Sequence, residues 1–112
     1  MEKDKEIDWT IEENKNLIEA LLSISSREQM KRFLRDLMTE GEIIEFAKRF
    51  QTASMLSAKI PYSIIENETG FSSTTVARVS KWLSRGTGGY KEIISKLGEH
   101  HHGTSHRVKG LS

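Results

Sequence analysis

PYSIIENETGFSSTTVARVSKWL, residues 61–83, reads as two short helices joined by a glycine turn, and the rest of the chain is arranged around it. Ser63 is placed to cap the first helix, with Glu66 three residues on bonding back and Pro61 and Tyr62 holding the preceding chain extended. Gly70 falls where that helix has to stop in a left-handed conformation, which costs glycine least. Ser72 or Ser73 can then cap a second helix running to about Leu83, with Val76, Val79 and Leu83 at i, i+3 and i+7 as its apolar face. Ile64, Ile65 and Phe71 are expected to close a small core between the two helices, so that packing sets their angle. The other face of the second helix carries Ser73, Thr74, Thr75, Arg78 and Lys81 and is left free to enter a groove. This is the pattern of a helix-turn-helix.

An ordinary helical hairpin would use the same apolar positions as core and the same hydroxyls as caps. Charge separates the two readings: from Thr69 to Lys91 there is no acidic residue, while Arg78, Lys81, Arg85 and Lys91 are present. A phosphate backbone selects that asymmetry. Phosphate contacts are therefore expected from Lys59, Arg85, Lys91 and hydroxyls such as that of Ser72, and base-edge readout from residues between Ser73 and Lys81.

At 112 residues the chain has room for one domain with a shallow core, and a dimer would bury more of its apolar surface. There is no cysteine, hence no disulfide framework, thiolate metal site or cysteine nucleophile, which suits a reducing cytosol. No apolar run approaches a membrane span, and the acidic EKDKEIDW start does not resemble a signal peptide, so a cytoplasmic protein without membrane association is expected. The net charge of +1 conceals a gradient: residues 1–20 hold seven acids against three lysines, a net of −4. The basic character is local to the motif.

Residues 1–8 form a charged lead-in expected to be mobile. Thr10 with Glu13 reads as a capping box opening a helix to about Ile24, with Leu17, Ile18, Leu21 and Leu22 on one side and Trp9 as a staple or interface anchor. Ser25, Ser26 and Glu28 mark the next helix start, followed by Met30, Phe33, Leu34, Leu37 and Met38 at helical spacing. Thr39 and Glu42 open a third helix, the longest, carrying Ile43, Phe46, Ala47, Phe50, Ala53 and Leu56 to about Ala58. After Leu83, SRGTGG reads as a turn whose backbone N–H groups could approach a phosphate, and a final helix runs from Tyr90 to Leu97, ended by Gly98. The tail at 99–112 contains all four histidines, His100, His101, His102 and His106. Without a scaffold these give no fixed metal geometry, so a flexible tail and no metal or other cofactor are expected. No nucleophile elbow, zincin or phosphate-loop pattern occurs, so enzymatic activity is not expected. The reading is an all-α, six-helix DNA-binding domain at 9–98 with its helix-turn-helix at 61–83.

From about Leu37 to Leu97 the chain resembles the Trp repressor superfamily, and more closely its Trp repressor-like branch of uncharacterised bacterial proteins. LMTEGEIIEFAKRFQTASML resembles that branch's threonine-capped helix, ENETGFSSTTVARVSKWL its reading head, and GTGGYKEII its glycine turn and tyrosine-containing last helix. The resemblance implies an intertwined homodimer whose two reading heads reach successive major grooves of a palindromic operator, and it implies repression rather than activation. Thr39, Arg49 and Arg78 match the family's ligand-contacting threonine and two arginines. Val79, however, stands where Trp repressor has a glycine against its indole ligand, and Trp82 where it has a serine that binds the ligand's amino group. Two larger side chains are expected to fill that space, leaving no site for free tryptophan and no effector identified. Two other functions use the same residues: a DNA-binding subunit of a transposition system, and a helical protein-interaction module.

Overall fold

The fold comes from a computed structural model that describes residues 6–100, so the expectations for the start of the lead-in and for the tail beyond residue 100 lie outside the described residues. Among those residues there are six helices and no strand: α1 Glu12–Leu22, α2 Arg27–Leu37, α3 Glu40–Ser57, α4 Tyr62–Thr69, α5 Ser73–Arg85 and α6 Gly89–His100. They fall into two compact units, one ending at Ile43 and the other beginning at Ile44.

The first unit shows how strongly local hydrogen bonding decides where a helix starts. Asp8, not the Thr10 and Glu13 pair, organises the chain ahead of α1. Its Oδ1 accepts from the Thr10 amide at 2.9 Å and from the Thr10 hydroxyl at 2.5 Å, and its carbonyl accepts from Asn14 Nδ2 at 2.9 Å. These bonds favour the ionised carboxylate and hold Asp8 below its ordinary acidity range, the hydroxyl bond contributing most. With the Thr10 hydroxyl turned backward, Ile11 takes the cap position and no side chain caps α1. The helix also stops two residues before Ile24, and at that end the Ser23 hydroxyl donates to the Ala20 carbonyl at 2.8 Å. In α2 the cap is Ser26, which accepts from the Gln29 amide at 3.1 Å, while Gln29 Oε1 accepts from the Ser25 amide at 2.8 Å. Gln29 thus takes the part expected of Glu28, which pairs instead with Lys31 across an exposed 3.3 Å contact that contributes little. No residue of α1 or α2 is buried, and Trp9, Leu22 and Leu37 are each half or more exposed.

Thr39 and Glu42 form the reciprocal box at the head of α3, with bonds of 3.1 Å and 2.9 Å. At its other end, the Lys59 amide donates to the Leu56 carbonyl and the Ile60 amide to the Met55 carbonyl, both at 3.0 Å. This paired closure requires a left-handed residue at Lys59, whose φ is 66°.

In the second unit, the cap of α4 lies two residues earlier than its sequence suggests. Pro61 is the extended cap residue, its carbonyl accepting from the Ile64 and Ile65 amides, and no side chain caps the helix, so Ser63 lies inside the first turn rather than at its head. Ile64 is 48% exposed and does not join the core, whereas Ile65 is fully buried. Adjacent helical residues point about 100° apart, so one neighbouring surface cannot cover both. Gly70 closes α4 at φ 78° as expected, its amide donating to the Glu66 carbonyl. Beneath it the Thr69 hydroxyl donates to the Ile65 carbonyl at 2.8 Å and accepts from the Phe71 amide at 3.1 Å, tying the end of α4 to the turn. Ser72 caps α5, which runs on to Arg85. The fully enclosed side chains of this unit are Ala53 from α3, Ile65 from α4 and Val76 and Val79 from α5, with Thr52 and Thr69 beside them.

Gly98 does not end α6, which continues to His100. A helical glycine costs about 1 kcal/mol without forbidding the helix, and Gly98 keeps an ordinary negative φ. On this helix Tyr90 packs against Phe50 of α3 with ring centroids 6.4 Å apart. Burial pushes the Tyr90 phenol up, and the nearby Arg49 charge partly offsets this.

Candidate nucleic-acid interface

The exposed side of α5 follows from its spacing. Thr74, Arg78, Lys81 and Arg85 recur at i, i+4, i+7 and i+11 and so share one stripe, while Val76 and Val79 are buried on the far side and Leu83 is half-buried there. Ser73, Thr74, Arg78, Lys81 and Arg85 are all exposed. Among the described residues no carboxylate lies within ion-pair distance of Arg78 or Arg85, and α5 has no acid of its own. The result is a cationic helix face with hydroxyls at its leading end.

The remaining sequence-predicted residues divide by role. Ser72 accepts from the Thr75 amide at 3.2 Å, and its hydroxyl lies 3.1 Å from that of Thr75, so this pair serves the cap of α5. Thr75 is half-buried. Lys59 is exposed in the α3–α4 connection and Lys91 is exposed in the first turn of α6. These two flank the motif in sequence without being part of the stripe. Gly88, at φ 95°, turns the chain from α5 into α6.

The positions matched to an effector site differ in their surroundings. Thr39 spends its hydroxyl on the Glu42 amide and belongs to the first unit, while the other four belong to the second. Arg49 Nε stands 3.5 Å from Glu45 and its guanidinium lies 5.2 Å from the centroid of the Phe46 ring. Arg78 is exposed, Val79 is 1% exposed, and Trp82 is half-buried one turn beyond Val79.

The sequence model of the family described as Trp repressor protein matches residues 12–98. The chain belongs to the Trp repressor family. Within that family it is similar to the uncharacterized protein YerC of Bacillus subtilis (strain 168), 36% identical over 83 residues that span 74% of this chain and 80% of that protein. It is also similar to the crystal structure of a TrpR-like protein from Eubacterium eligens ATCC 27750, with a TM-score of 0.77 and 31% identity over 80% of this chain and 93% of the other. A candidate Trp repressor from Staphylococcus aureus superposes with a TM-score of 0.70 at 34% identity, covering 74% of this chain and 83% of that one. The six-helix architecture is thus that of TrpR-like proteins, and a helix-turn-helix regulator is the class it belongs to. No described helix is long and apolar enough to cross a membrane.

A reading of the sequence alone passes over two residues at the α4–α5 turn, Thr69 at the end of α4 and Lys48 reaching it from α3. Thr69 carried a usable signal, since a threonine immediately before a left-handed glycine can bond back to the helix and forward to the turn. Lys48 carried none: its ammonium lies 5.9 Å from the centroid of the Phe71 ring, a neighbour 23 positions away that only the fold supplies.

Proposed function

We propose that this chain is a sequence-specific, DNA-binding transcriptional repressor of the cytoplasm that acts as a homodimer on a palindromic operator and does not need tryptophan. The observation that carries the reading is the acid-free cationic stripe of α5, displayed on a helix whose opposite side is locked into the core. Within this proposal the DNA-binding domain spans residues 9–98. Ser73, Thr74, Arg78 and Lys81 read base edges from the major groove; Lys59, Arg85 and Lys91 hold phosphates. Selection from random duplex DNA with the purified full chain tests it. A recovered consensus with two inverted half-sites about one helical turn apart is the expected result, and recovery of no consensus would refute it.

Dimerisation is supported by the state of α1 and α2, which carry amphipathic stripes yet have no fully buried residue. Sedimentation at micromolar concentration is expected to give about twice the 12.8 kDa chain mass. Leu34→Asp should abolish that species, because burying an unpaired carboxylate costs several kcal/mol, on the order of the whole stability of a small domain. A mass that stays at one chain for the unmodified protein would sink this part of the proposal.

Independence from tryptophan is supported by Val79 and Trp82, which put two bulky side chains on the same stretch of α5. Calorimetry with L-tryptophan should give no saturable heat, and DNA affinity should be equal with and without it. Micromolar binding coupled to tighter DNA association would overturn this.

Lys59 offers a test with two opposite readouts. A left-handed non-glycine residue costs about 1 kcal/mol, so Lys59→Gly should stabilise the fold by roughly 0.5–1 kcal/mol in urea unfolding. If Lys59 holds a phosphate, the same variant should bind DNA less tightly and lower the salt slope by about one unit. Gain of stability with unchanged salt dependence would remove Lys59 from the interface.

A further inference from the structure

We infer that Lys48, on α3 and outside the helix-turn-helix, is a further phosphate-binding residue of the DNA interface, held in place by the ring of Phe71. The inference rests on the DNA-binding reading above and adds to it a contact from a different helix.

Lys48 and Arg49 are neighbours in sequence with different electrostatic fates. Arg49 has Glu45 at 3.5 Å, one turn back on the same helix, so part of its charge is already answered. Lys48 has no carboxylate within ion-pair distance among the described residues; the group facing its ammonium is the Phe71 ring at 5.9 Å. An aromatic face attracts a cation weakly and leaves its outward hemisphere and its N–H donors for another partner. Phe71 is itself fixed, its amide donating to the buried Thr69 hydroxyl at 3.1 Å. The charge is therefore stationed at the turn between α4 and α5, immediately before the residues that start the exposed stripe.

Restraint of the stem strengthens the case. Lys48 is half-buried, unlike the exposed Lys59, Lys81 and Lys91, so less side-chain freedom remains to be lost on binding. Below it on α3, Thr52 and Ala53 are fully enclosed, which makes the platform that carries Lys48 rigid. A cation on α3 stands outside the groove-entering helix, where the partner is a sugar-phosphate oxygen rather than a base edge. It would position the motif on the duplex without reading sequence.

The test is a salt titration of the full chain with a fluorescent duplex of mixed sequence, comparing the unmodified protein with Lys48→Gln, Lys48→Arg and Lys48→Met. The expected result is a log–log salt slope about one unit shallower for Lys48→Gln, and a slope close to the original for Lys48→Arg. Lys48→Met keeps an apolar stem against Phe71 and should repeat the glutamine result, which guards against a glutamine variant that folds poorly. Thermal unfolding of each variant is read alongside. A slope unchanged in both neutral variants, with a lowered melting temperature, would mean that Lys48 only packs on the ring, and would overturn the inference while leaving the α5 interface standing. Absence of any duplex binding by the unmodified protein at low salt would instead overturn the DNA-binding reading and this inference together.

Discussion

Ile65→Ala is expected to lower the unfolding free energy by about 2–5 kcal/mol, the range for truncating a buried isoleucine without refilling its space. The side chain is wholly enclosed, and the other enclosed apolar side chains of its unit are few: Ala53, Val76 and Val79. None of these is large enough to collapse into the vacated volume, and Thr52 and Thr69 commit their hydroxyls to the Lys48 and Ile65 carbonyls at 2.8 Å. The loss therefore falls at the steep end of the cavity relation and is a sizeable part of a typical total of about 5–15 kcal/mol. Ile64→Ala is the matched control. Being half exposed, it should cost on the order of 1 kcal/mol or less, given that burial scales with area removed from water. Urea unfolding at one fixed protein concentration separates the two, since a self-associating chain has a concentration-dependent midpoint. Equal losses at positions 64 and 65 would show that the core has been placed on the wrong side of α4.

The double variant Arg78→Ala/Lys81→Ala should weaken operator binding by about thirtyfold or more while leaving the fold intact. Each base or phosphate contact of this kind contributes about 1–3 kcal/mol, and 1.4 kcal/mol is tenfold in affinity. Both side chains are exposed on the stripe opposite Val76 and Val79, so truncation opens no cavity. The two singles separate function further. Loss of a base contact relaxes preference at one operator position, whereas loss of a phosphate contact weakens all sequences alike and reduces the salt slope by about one unit. Anisotropy titrations on the selected operator and on a scrambled duplex distinguish these outcomes. Unaltered affinity in the double variant, with unchanged circular dichroism, would place the reading face elsewhere on the chain.

Much of this architecture was legible in the sequence because it depends on residues within four positions of each other. The Thr39–Glu42 box, the Ser26 and Ser72 caps and the left-handed Gly70 are choices that a short peptide makes from its own hydrogen-bonding inventory. The order of the six helices follows from those signals and from apolar spacing, and the charge stripe of α5 follows from spacing alone. Competition between equally local partners explains the misplaced boundaries. Asp8 outbid the expected cap for the Thr10 hydroxyl, Gln29 replaced Glu28, and the Pro61 carbonyl started α4 ahead of Ser63. Which side of an apolar pattern becomes interior is a different kind of question. Ile64 and Ile65 are chemically alike, and only the packing of other helices such as α5 against α4 buries one and exposes the other; the stripes of α1 and α2 look as core-like as any, yet none of their residues is buried. Lys48 is the sharpest case, since its partner Phe71 is remote in sequence and nothing near Lys48 announces it. Hydrogen bonds along a helix are set by the chain itself, whereas burial and charge placement are set by whatever the fold brings alongside.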